Sequence, residues 1–279
     1  MLCRVTNTSD SLHYHHLLLY VFYLCTDGVD GVILFSDILT PLPAMGIDFD
    51  ISEGGKIKIV PIQTREELEK RLRRVSKIDF RRECNFVGAV LEELSRGLVK
   101  SSPETTLIGF VGLPFTLASY LVEGKTGVGD NFPNIRKLME ENPDVLHAML
   151  SLLADNIINY ACYQIESGAQ IIQVFDSWAG HIDDEYYGLF CEPYQRRVVQ
   201  GIKQQHPDTP IIIYMAPGPY SSGGRRLKAL AETGVDIVSV DHTIDLSIAR
   251  EMLSDYDSVG LQGNLDPQLL RDGPMDEIR

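Results

Sequence analysis

Residues 31–41 read GVILFSDILTP, an apolar run that ends on a serine, an acid and a turn-forming proline. In an α/β enzyme, a strand that ends on an acid delivers a carboxylate, here that of Asp37, to a pocket at the carboxyl edge of the sheet. Ser36 and Asp37 are also favoured N-cap residues, so the alternative is that they cap the next helix. The same pattern recurs along the chain, which favours a role in a site.

Five further short runs rich in β-branched residues follow the first one. Because these runs are apolar throughout rather than alternating, both faces of the sheet should be covered, as they are in parallel sheets. No Pro-rich or Ser-rich linker divides the sequence, so one α/β domain is predicted. The predicted strands are Val32–Phe35, Leu107–Val111, Ile171–Phe175, Ile211–Tyr214, Ile237–Val240 and Val259–Leu261.

Segments with helical periodicity lie between the predicted strands. Thr64–Val75 is charged and amphipathic, and it opens with Thr64 and, three residues on, Glu67, which is the pattern of a capping box. Asp144–Glu166 and Glu192–Gln205 carry apolar residues at helical spacing. Strands that alternate with helices in this way indicate βα units.

Polar residues and glycines gather where the predicted strands end. This is typical of a (β/α)8, or TIM, barrel, although a doubly wound sheet also binds ligands at this edge. No GxGxxG follows the first strand and neither GxxxxGKS nor GxxxxGKT occurs, so nucleotide-phosphate binding has no support. We predict a TIM-type barrel that is incomplete, with six of its eight strands identifiable. The strand-end residues are Ser36 and Asp37, Gly112, Asp176 and Ser177, Gly218, Asp241, and Gly263 with Asn264.

The composition limits the classes of partner. The 279-residue chain has a formal net charge of −14, whereas nucleic acids and anionic membranes require clustered cations, so neither partner is expected. Five cysteines show no CxxC spacing, which argues against a disulfide framework or a metal site. The apolar run Leu17–Cys25 is too short to span a bilayer.

Five ordered blocks resemble the uroporphyrinogen decarboxylase family, from about Asp27 to the last residue. The blocks are ILFSDILTP at residues 33–41, GFVGLPFTLASYLVEG at 109–124, QVFDSWAGH at 173–181, VDIVSVD at 235–241 and LQGNLDP at 261–267. The resemblance implies a barrel enzyme of heme and chlorophyll biosynthesis that uses no cofactor and no metal. It implies decarboxylation of the four acetate side chains of uroporphyrinogen III, which gives coproporphyrinogen III.

The resemblance also implies roles for three residues. Asp37 matches the aspartate that holds the pyrrole nitrogens, Tyr120 matches a tyrosine that reaches toward the substrate and that carboxylate, and Ser177 matches a serine that contacts a substrate side chain. Asp176 and Asp241 also end strands, but the resemblance gives them no role, so we leave them outside the site. A homodimer in the cytosol or the plastid stroma is expected on the same basis.

The chain departs from the family pattern at both ends and in one loop. We expect residues 1–26 to be a non-homologous segment and residues 27–279 to be a barrel domain truncated at its C-terminus. The family's Arg-x-x-x-Arg clamp and glycine-flanked histidine are absent. In the unusual loop at residues 215–226, Arg225 and Arg226 could substitute as cations, but two arginines that open a helix are more often solvated.

Two other functions stay open. One is a catalytically impaired fragment or pseudoenzyme that binds a tetrapyrrole without turnover. The other is a corrinoid-dependent methyltransferase, which would need a zinc-bound thiolate from a His-x-Cys motif. No such motif occurs in the sequence, so this alternative lacks its metal ligands.

Overall fold

The computed structural model describes residues 29–34, 36–51, 57–125 and 132–274. The interpretations of residues 1–26, of the apolar run Leu17–Cys25 and of Phe35 concern residues outside these ranges, as does the end of the chain after residue 274. The described residues contain a six-stranded sheet and a separate two-stranded hairpin.

All six predicted strands are confirmed, two of them with the predicted bounds and four with bounds that differ by one or two residues. They pair in parallel throughout, as the unbroken apolar runs indicated. The hairpin was not predicted, because its strands are three residues each and carry a charged residue in the middle. The strands are β1 Gly31–Ile33, β2 Phe49–Ile51, β3 Ile57–Ile59, β4 Thr106–Gly112, β5 Ile171–Phe175, β6 Ile211–Tyr214, β7 Ile237–Ser239 and β8 Gly260–Gln262.

The order of the strands identifies the winding. In the large sheet the order is β1-β4-β5-β6-β7-β8. Each strand therefore lies beside the strand of this sheet that follows it in the sequence. A doubly wound sheet would reverse direction part-way, whereas a barrel continues in one direction. This order confirms the prediction of an incomplete TIM-type barrel with six strands. Because all the strands are parallel, their carboxyl ends meet at one edge.

The helices follow the strands in βα order. The predicted helix Thr64–Val75 ends earlier, at Arg71, and a 3-10 turn follows at Val75–Lys77. Its capping box is confirmed, since the Glu67 amide donates to Thr64 Oγ1 at 3.2 Å and the Thr64 amide donates to Glu67 Oε2 at 3.0 Å. The helices are α1 Arg65–Arg71, α2 Phe80–Glu83, α3 Asn85–Ser101, α4 Pro114–Glu123, α5 Pro133–Glu141, α6 Pro143–Glu166, α7 Asp184–Phe190, α8 Glu192–Gln205, α9 Leu227–Ala231, α10 Leu246–Met252 and α11 Pro267–Asp272.

Helix α6 is the central element of the outer layer. By length and composition it could cross a membrane, but 56% of its most apolar window is buried inside the fold. Leu146, Leu150, Leu153 and Ile157 on this helix are at most 1% exposed. It packs against β4, α4 and α8. These contacts are those of the core helix of a globular domain.

The start of α5 is fixed by a carboxylate from the end of α4. Glu123 is 7% exposed. Its Oε1 accepts the backbone N–H groups of Asn134 and Ile135, both at 2.9 Å, and its Oε2 accepts the Asn134 side-chain amide at 3.0 Å. A helix start leaves its first N–H groups without intrahelical partners, and this side chain supplies two acceptors.

We expect Glu123→Ala to lower the free energy of unfolding by about 2 kcal/mol, because it leaves two N–H groups at the start of α5 without their acceptor. Glu123→Gln should lower it by less, since the remaining carbonyl oxygen can still accept both. Urea denaturation of the two variants beside the parent measures this difference. Equal losses would contradict the capping role.

Candidate functional site

Asp37 lies in the turn that follows β1, at the carboxyl edge of the sheet. Its Oδ1 accepts the Leu39 amide at 2.9 Å, and the Thr40 hydroxyl donates to the Asp37 carbonyl at 2.5 Å. The capping alternative is therefore correct in part, although Asp37 caps a turn and not a helix. The side chain is only partly buried, so the residue remains at the rim of the site.

This turn packs against the end of β4 at Gly112. A Cβ atom added at Gly112, the last residue of β4, would lie 3.1 Å from Leu117 Cδ2 and 3.4 Å from the Cβ of Ile38. The residue after Asp37 is thus packed against the junction of β4 and α4. This packing places the Asp37 turn beside the helix that carries Tyr120.

Tyr120 lies on α4 and is 8% exposed. Burial raises the pKa of the Tyr120 phenol, the neighbouring Trp178 indole N–H lowers it, and the negative charge of Asp37 raises it again. Among the described residues, the buried indole N–H has no hydrogen-bond partner of ordinary geometry. Asp37 and Tyr120, which are far apart in sequence, are therefore close enough to interact electrostatically. The phenol stays protonated near neutral pH.

Ser177 and Trp178 follow the end of β5 at the same edge. The Trp178 ring stacks edge-on against Tyr120 with 6.1 Å between centroids, and its other neighbours are Phe132 at 5.0 Å and His181 at 5.7 Å. Ser177 is partly buried and directly precedes Trp178. The three predicted site residues therefore come from the turn after β1, from α4 and from the segment after β5, all at the carboxyl edge of the sheet.

Asp176 was left outside the site on sequence grounds, but it has a distinctive environment. Its carboxylate is 0% exposed. Thr116 Oγ1 donates to its Oδ1 at 2.7 Å, and Gln195 Nε2 donates to its Oδ2 at 2.8 Å. The Gln195 carbonyl in turn accepts the Tyr187 hydroxyl at 2.7 Å. We call Thr116, Asp176, Tyr187 and Gln195 the Asp176 network.

Burial raises the pKa of Asp176 to about 6, against the lowering effects of its hydrogen bonds to Gln195 and Thr116 and of the Arg226 charge. A carboxyl whose pKa is higher in the folded than in the unfolded chain stabilises the fold when protonated, and loses this contribution as pH rises through the folded pKa. We expect Asp176→Asn to remove about 3 kcal/mol of pH dependence between pH 4 and 7. Urea denaturation across this range tests it, and parallel curves for parent and variant would contradict it.

Arg226 corrects the expectation that both arginines of the 215–226 loop are solvated. Its guanidinium donates to the carbonyls of Ala179 and Ile182 at 2.9 and 2.6 Å and lies 3.9 Å from the centroid of the Tyr187 ring. It is 4% exposed, whereas Arg225 is exposed, and the two arginines share Asp184, whose carboxylate lies 2.6 Å from Arg225 and 3.2 Å from Arg226. The loop therefore delivers one arginine into the layer below the site. Both terminal nitrogens of Arg226 are bonded to carbonyls inside the fold, so its charge is not offered to a ligand.

The same loop is seated on the segment after Trp178. The Tyr220 amide donates to the Gly180 carbonyl at 3.1 Å. A Cβ atom at Gly180 would lie 2.6 Å from the Ala216 carbonyl oxygen, so only glycine permits this approach.

Across the ranges that the structure describes, no group of three or more His, Cys, Asp or Glu side chains could hold a metal ion.

Comparison with known proteins identifies the family. The family model for uroporphyrinogen decarboxylase (URO-D) matches residues 24–279. This chain belongs to the uroporphyrinogen decarboxylase family. It is 46% identical to a uroporphyrinogen decarboxylase of Prochlorococcus marinus strain MIT 9211, over 88% of this chain and 66% of the relative. It is 45% identical to one of Synechococcus sp. strain CC9902, over 86% of this chain and 64% of the relative.

The chain thus spans slightly less than two thirds of the length of these uroporphyrinogen decarboxylases. Solved structures support the fold. A methyltransferase from Methanosarcina mazei matches with a TM-score of 0.68 and 19% identity, over 96% of this chain and 74% of that one. A B12-independent methionine synthase from Shewanella sp. W3-18-1 matches with a TM-score of 0.56 and 13% identity, over 98% of this chain and 89% of that one. These identities are low enough that the likeness extends to the fold alone.

Proposed function

We propose that this protein takes part in the decarboxylation of uroporphyrinogen III, with release of carbon dioxide from its four acetate side chains and formation of coproporphyrinogen III. The observation that carries the proposal is the identity of 43–47% to proteins named uroporphyrinogen decarboxylase over most of this chain. The grouping of Asp37, Tyr120 and Ser177 at the carboxyl edge of a barrel sheet supports it.

The chemistry explains why a carboxylate is needed. Loss of carbon dioxide from an acetate leaves a carbanion, and the substrate supplies its own electron sink once a pyrrole ring has been protonated. An ionised carboxylate favours this cationic ring and accepts hydrogen bonds from the pyrrole N–H groups. We assign this role to Asp37, which lies at the rim of the site and is held by its bond to the Leu39 amide.

Tyr120 and Ser177 receive supporting roles in the proposal. Burial, and to a smaller extent the charge of Asp37, raises the pKa of the Tyr120 phenol, so the phenol remains a hydrogen-bond donor at neutral pH. We assign it to a substrate carboxylate or to Asp37 itself. The Ser177 hydroxyl, at the end of β5, is assigned to a substrate side chain. No metal or cofactor takes part in this mechanism.

Anaerobic incubation of the chain with uroporphyrinogen III tests the proposal, with products separated by the number of carboxylates that they retain. We expect products with fewer carboxylates, ending in coproporphyrinogen III. Binding of uroporphyrin without any loss of carboxylates would instead indicate a tetrapyrrole-binding protein. Stoichiometric zinc in the purified protein, with neither binding nor turnover, would favour the methyltransferase alternative.

The family relationship also supports a proposal for assembly and location. We propose a homodimer, which sedimentation analysis of the purified protein tests directly. We propose a location in the cytosol or the plastid stroma, which a fluorescent fusion to the full-length protein tests. A monomer in sedimentation would leave the enzymatic proposal intact, because Asp37, Tyr120 and Ser177 all belong to one chain.

A further inference from the structure

We propose that Asp176 is the positioning residue of this site: its buried carboxylate ties the Ser177–Trp178 segment to helices α4 and α8 and thereby holds Tyr120 and Trp178 in place for the substrate. The proposal rests on the proposed function for the identity of that substrate. The positioning itself is argued from hydrogen bonds, burial and charge.

Hydrogen bonds join the segment after β5 to helix α4 at two points. Thr116 Oγ1 donates to Asp176, and the same oxygen accepts the Trp178 amide at 3.2 Å. Asp176 and Trp178 are two residues apart on the segment after β5, so Thr116 clamps that segment at two points. Tyr120 is four residues after Thr116, on the same face of α4. A change in the Asp176–Thr116 bond therefore reaches both Trp178 and Tyr120.

The Asp176 network is buried and shielded from water. Thr116, Asp176 and Gln195 are each 0% exposed, and Tyr187 is 4% exposed. Both carboxylate oxygens of Asp176 have donors from different helices. A buried ionised group seldom adds stability compared with an apolar side chain of similar size, so an account based on packing alone does not explain an acid here. Fixing one arrangement of α4, α8 and the Trp178 segment does explain it.

The charged and titratable groups around the network single out Asp176. Arg226 faces it from the loop before α9, Tyr187 from α7 and Cys191 from the junction of α7 and α8. Burial raises the pKa values of Tyr187 and Cys191, so both stay neutral at physiological pH, and Arg226 stays cationic. His181 contacts Trp178 from the other side, and burial and the Arg136 charge lower its pKa. Among the described residues, Asp176 and His181 are thus the two groups whose charge could affect Trp178 in mildly acidic solution.

Trp178 is the one tryptophan in the sequence, so its fluorescence reports on this segment alone. We expect the emission to change with a midpoint near pH 6, the pKa of Asp176. Asp176→Asn should abolish the transition, and His181→Gln should retain it. An asparagine can keep the network, because Gln195 can turn its amide over and the Tyr187 hydroxyl can then accept. Retention in Asp176→Asn and loss in His181→Gln would overturn the proposal.

Thr116→Val provides a second variant, should Asp176→Asn fail to fold. Removal of the Thr116 hydroxyl takes away a bond that favours the ionised form of Asp176, so the midpoint should move to higher pH. Ser119→Ala is the matched control, since Ser119 lies on the same helix and its buried hydroxyl donates only to the Phe115 carbonyl at 2.8 Å. It should leave the midpoint unchanged. If the pH midpoint of the fluorescence change were the same in Thr116→Val and the parent, the proposed effect of the Thr116 hydrogen bond on Asp176 would be contradicted.

Binding of uroporphyrin III, followed by quenching of Trp178, tests the consequence for the site. Thr116→Val should weaken binding about tenfold, the effect expected of one lost hydrogen bond to a buried charge. Ser119→Ala should bind uroporphyrin III like the parent. If both substitutions weakened binding equally, Asp176 would stabilise the fold without positioning the site. If the parent itself does not bind uroporphyrin, the proposed function fails, and the pH transition alone decides whether Asp176 positions Trp178.

Discussion

Asp37→Asn should lower the rate of uroporphyrinogen decarboxylation by a factor of roughly 100 to 1000, the range found when one preorganised electrostatic contact to a transition state is removed. The amide is nearly the same shape, and its carbonyl oxygen can still accept the Leu39 N–H, so the turn should persist. What is lost is the negative charge that favours the protonated pyrrole. The measurement is the rate of appearance of products with fewer carboxylates.

Asp241→Asn is the matched control for this substitution. Asp241 also follows a strand of the sheet, and its Oδ1 accepts the Thr243 amide at 2.7 Å, two residues ahead, as Asp37 accepts that of Leu39. The two substitutions therefore make the same local change at two strand ends. We expect Asp241→Asn to retain most of the activity. Equal rates for the two variants would remove Asp37 from the mechanism.

Arg226→Met should lower the free energy of unfolding by about 3 kcal/mol, because it leaves the Ala179 and Ile182 carbonyls without donors and uncovers the Tyr187 ring. Methionine can fill part of the space but cannot donate a hydrogen bond. Arg225→Met should change the free energy by less than about 0.5 kcal/mol, since its partner Asp184 is exposed to solvent.

The two arginines are adjacent in sequence, but Arg226 is buried and Arg225 is exposed, so the pair of substitutions isolates the contribution of the buried contacts. Urea denaturation of both variants, read by far-UV circular dichroism, gives the two differences in the free energy of unfolding. If the two substitutions destabilised the protein by the same amount, Arg226 would not have the buried role described here. A loss confined to Arg226→Met would show that the 215–226 loop is part of the folded core.

The sheet could be predicted because its signal is local. Each strand is a run of β-branched residues, and parallel pairing follows from apolar character on both faces. Since the carboxyl ends of parallel strands share an edge, the position of Asp37 and Ser177 at that edge was also predictable. Tyr120 needed the family resemblance, because a tyrosine on a helix in which every residue is buried carries no sign of function.

The buried polar groups could not be predicted, because their partners are far apart in sequence. Asp176 depends on a hydroxyl 60 residues earlier and an amide 19 residues later. Arg226 depends on carbonyls 47 and 44 residues earlier. One signal was present, however: Gln195 lies on the apolar stripe of α8 with Val198, Val199 and Ile202. A polar residue on such a stripe predicts a buried partner, but the sequence does not say which one.

The contact between the 215–226 loop and Gly180 determines which positions of this protein should tolerate substitution. Main-chain atoms make much of the contact, with the Tyr220 amide on the Gly180 carbonyl and the Ala216 carbonyl against the Gly180 α-carbon, and the buried Ser221 side chain lies against the same α-carbon. Such a contact is indifferent to most side chains on the loop. Substitutions at the loop's exposed positions should therefore be tolerated far more readily than any change at Gly180. Directed evolution of a new ligand preference could vary the exposed positions of this loop while Gly180 and the buried Arg226 are held constant.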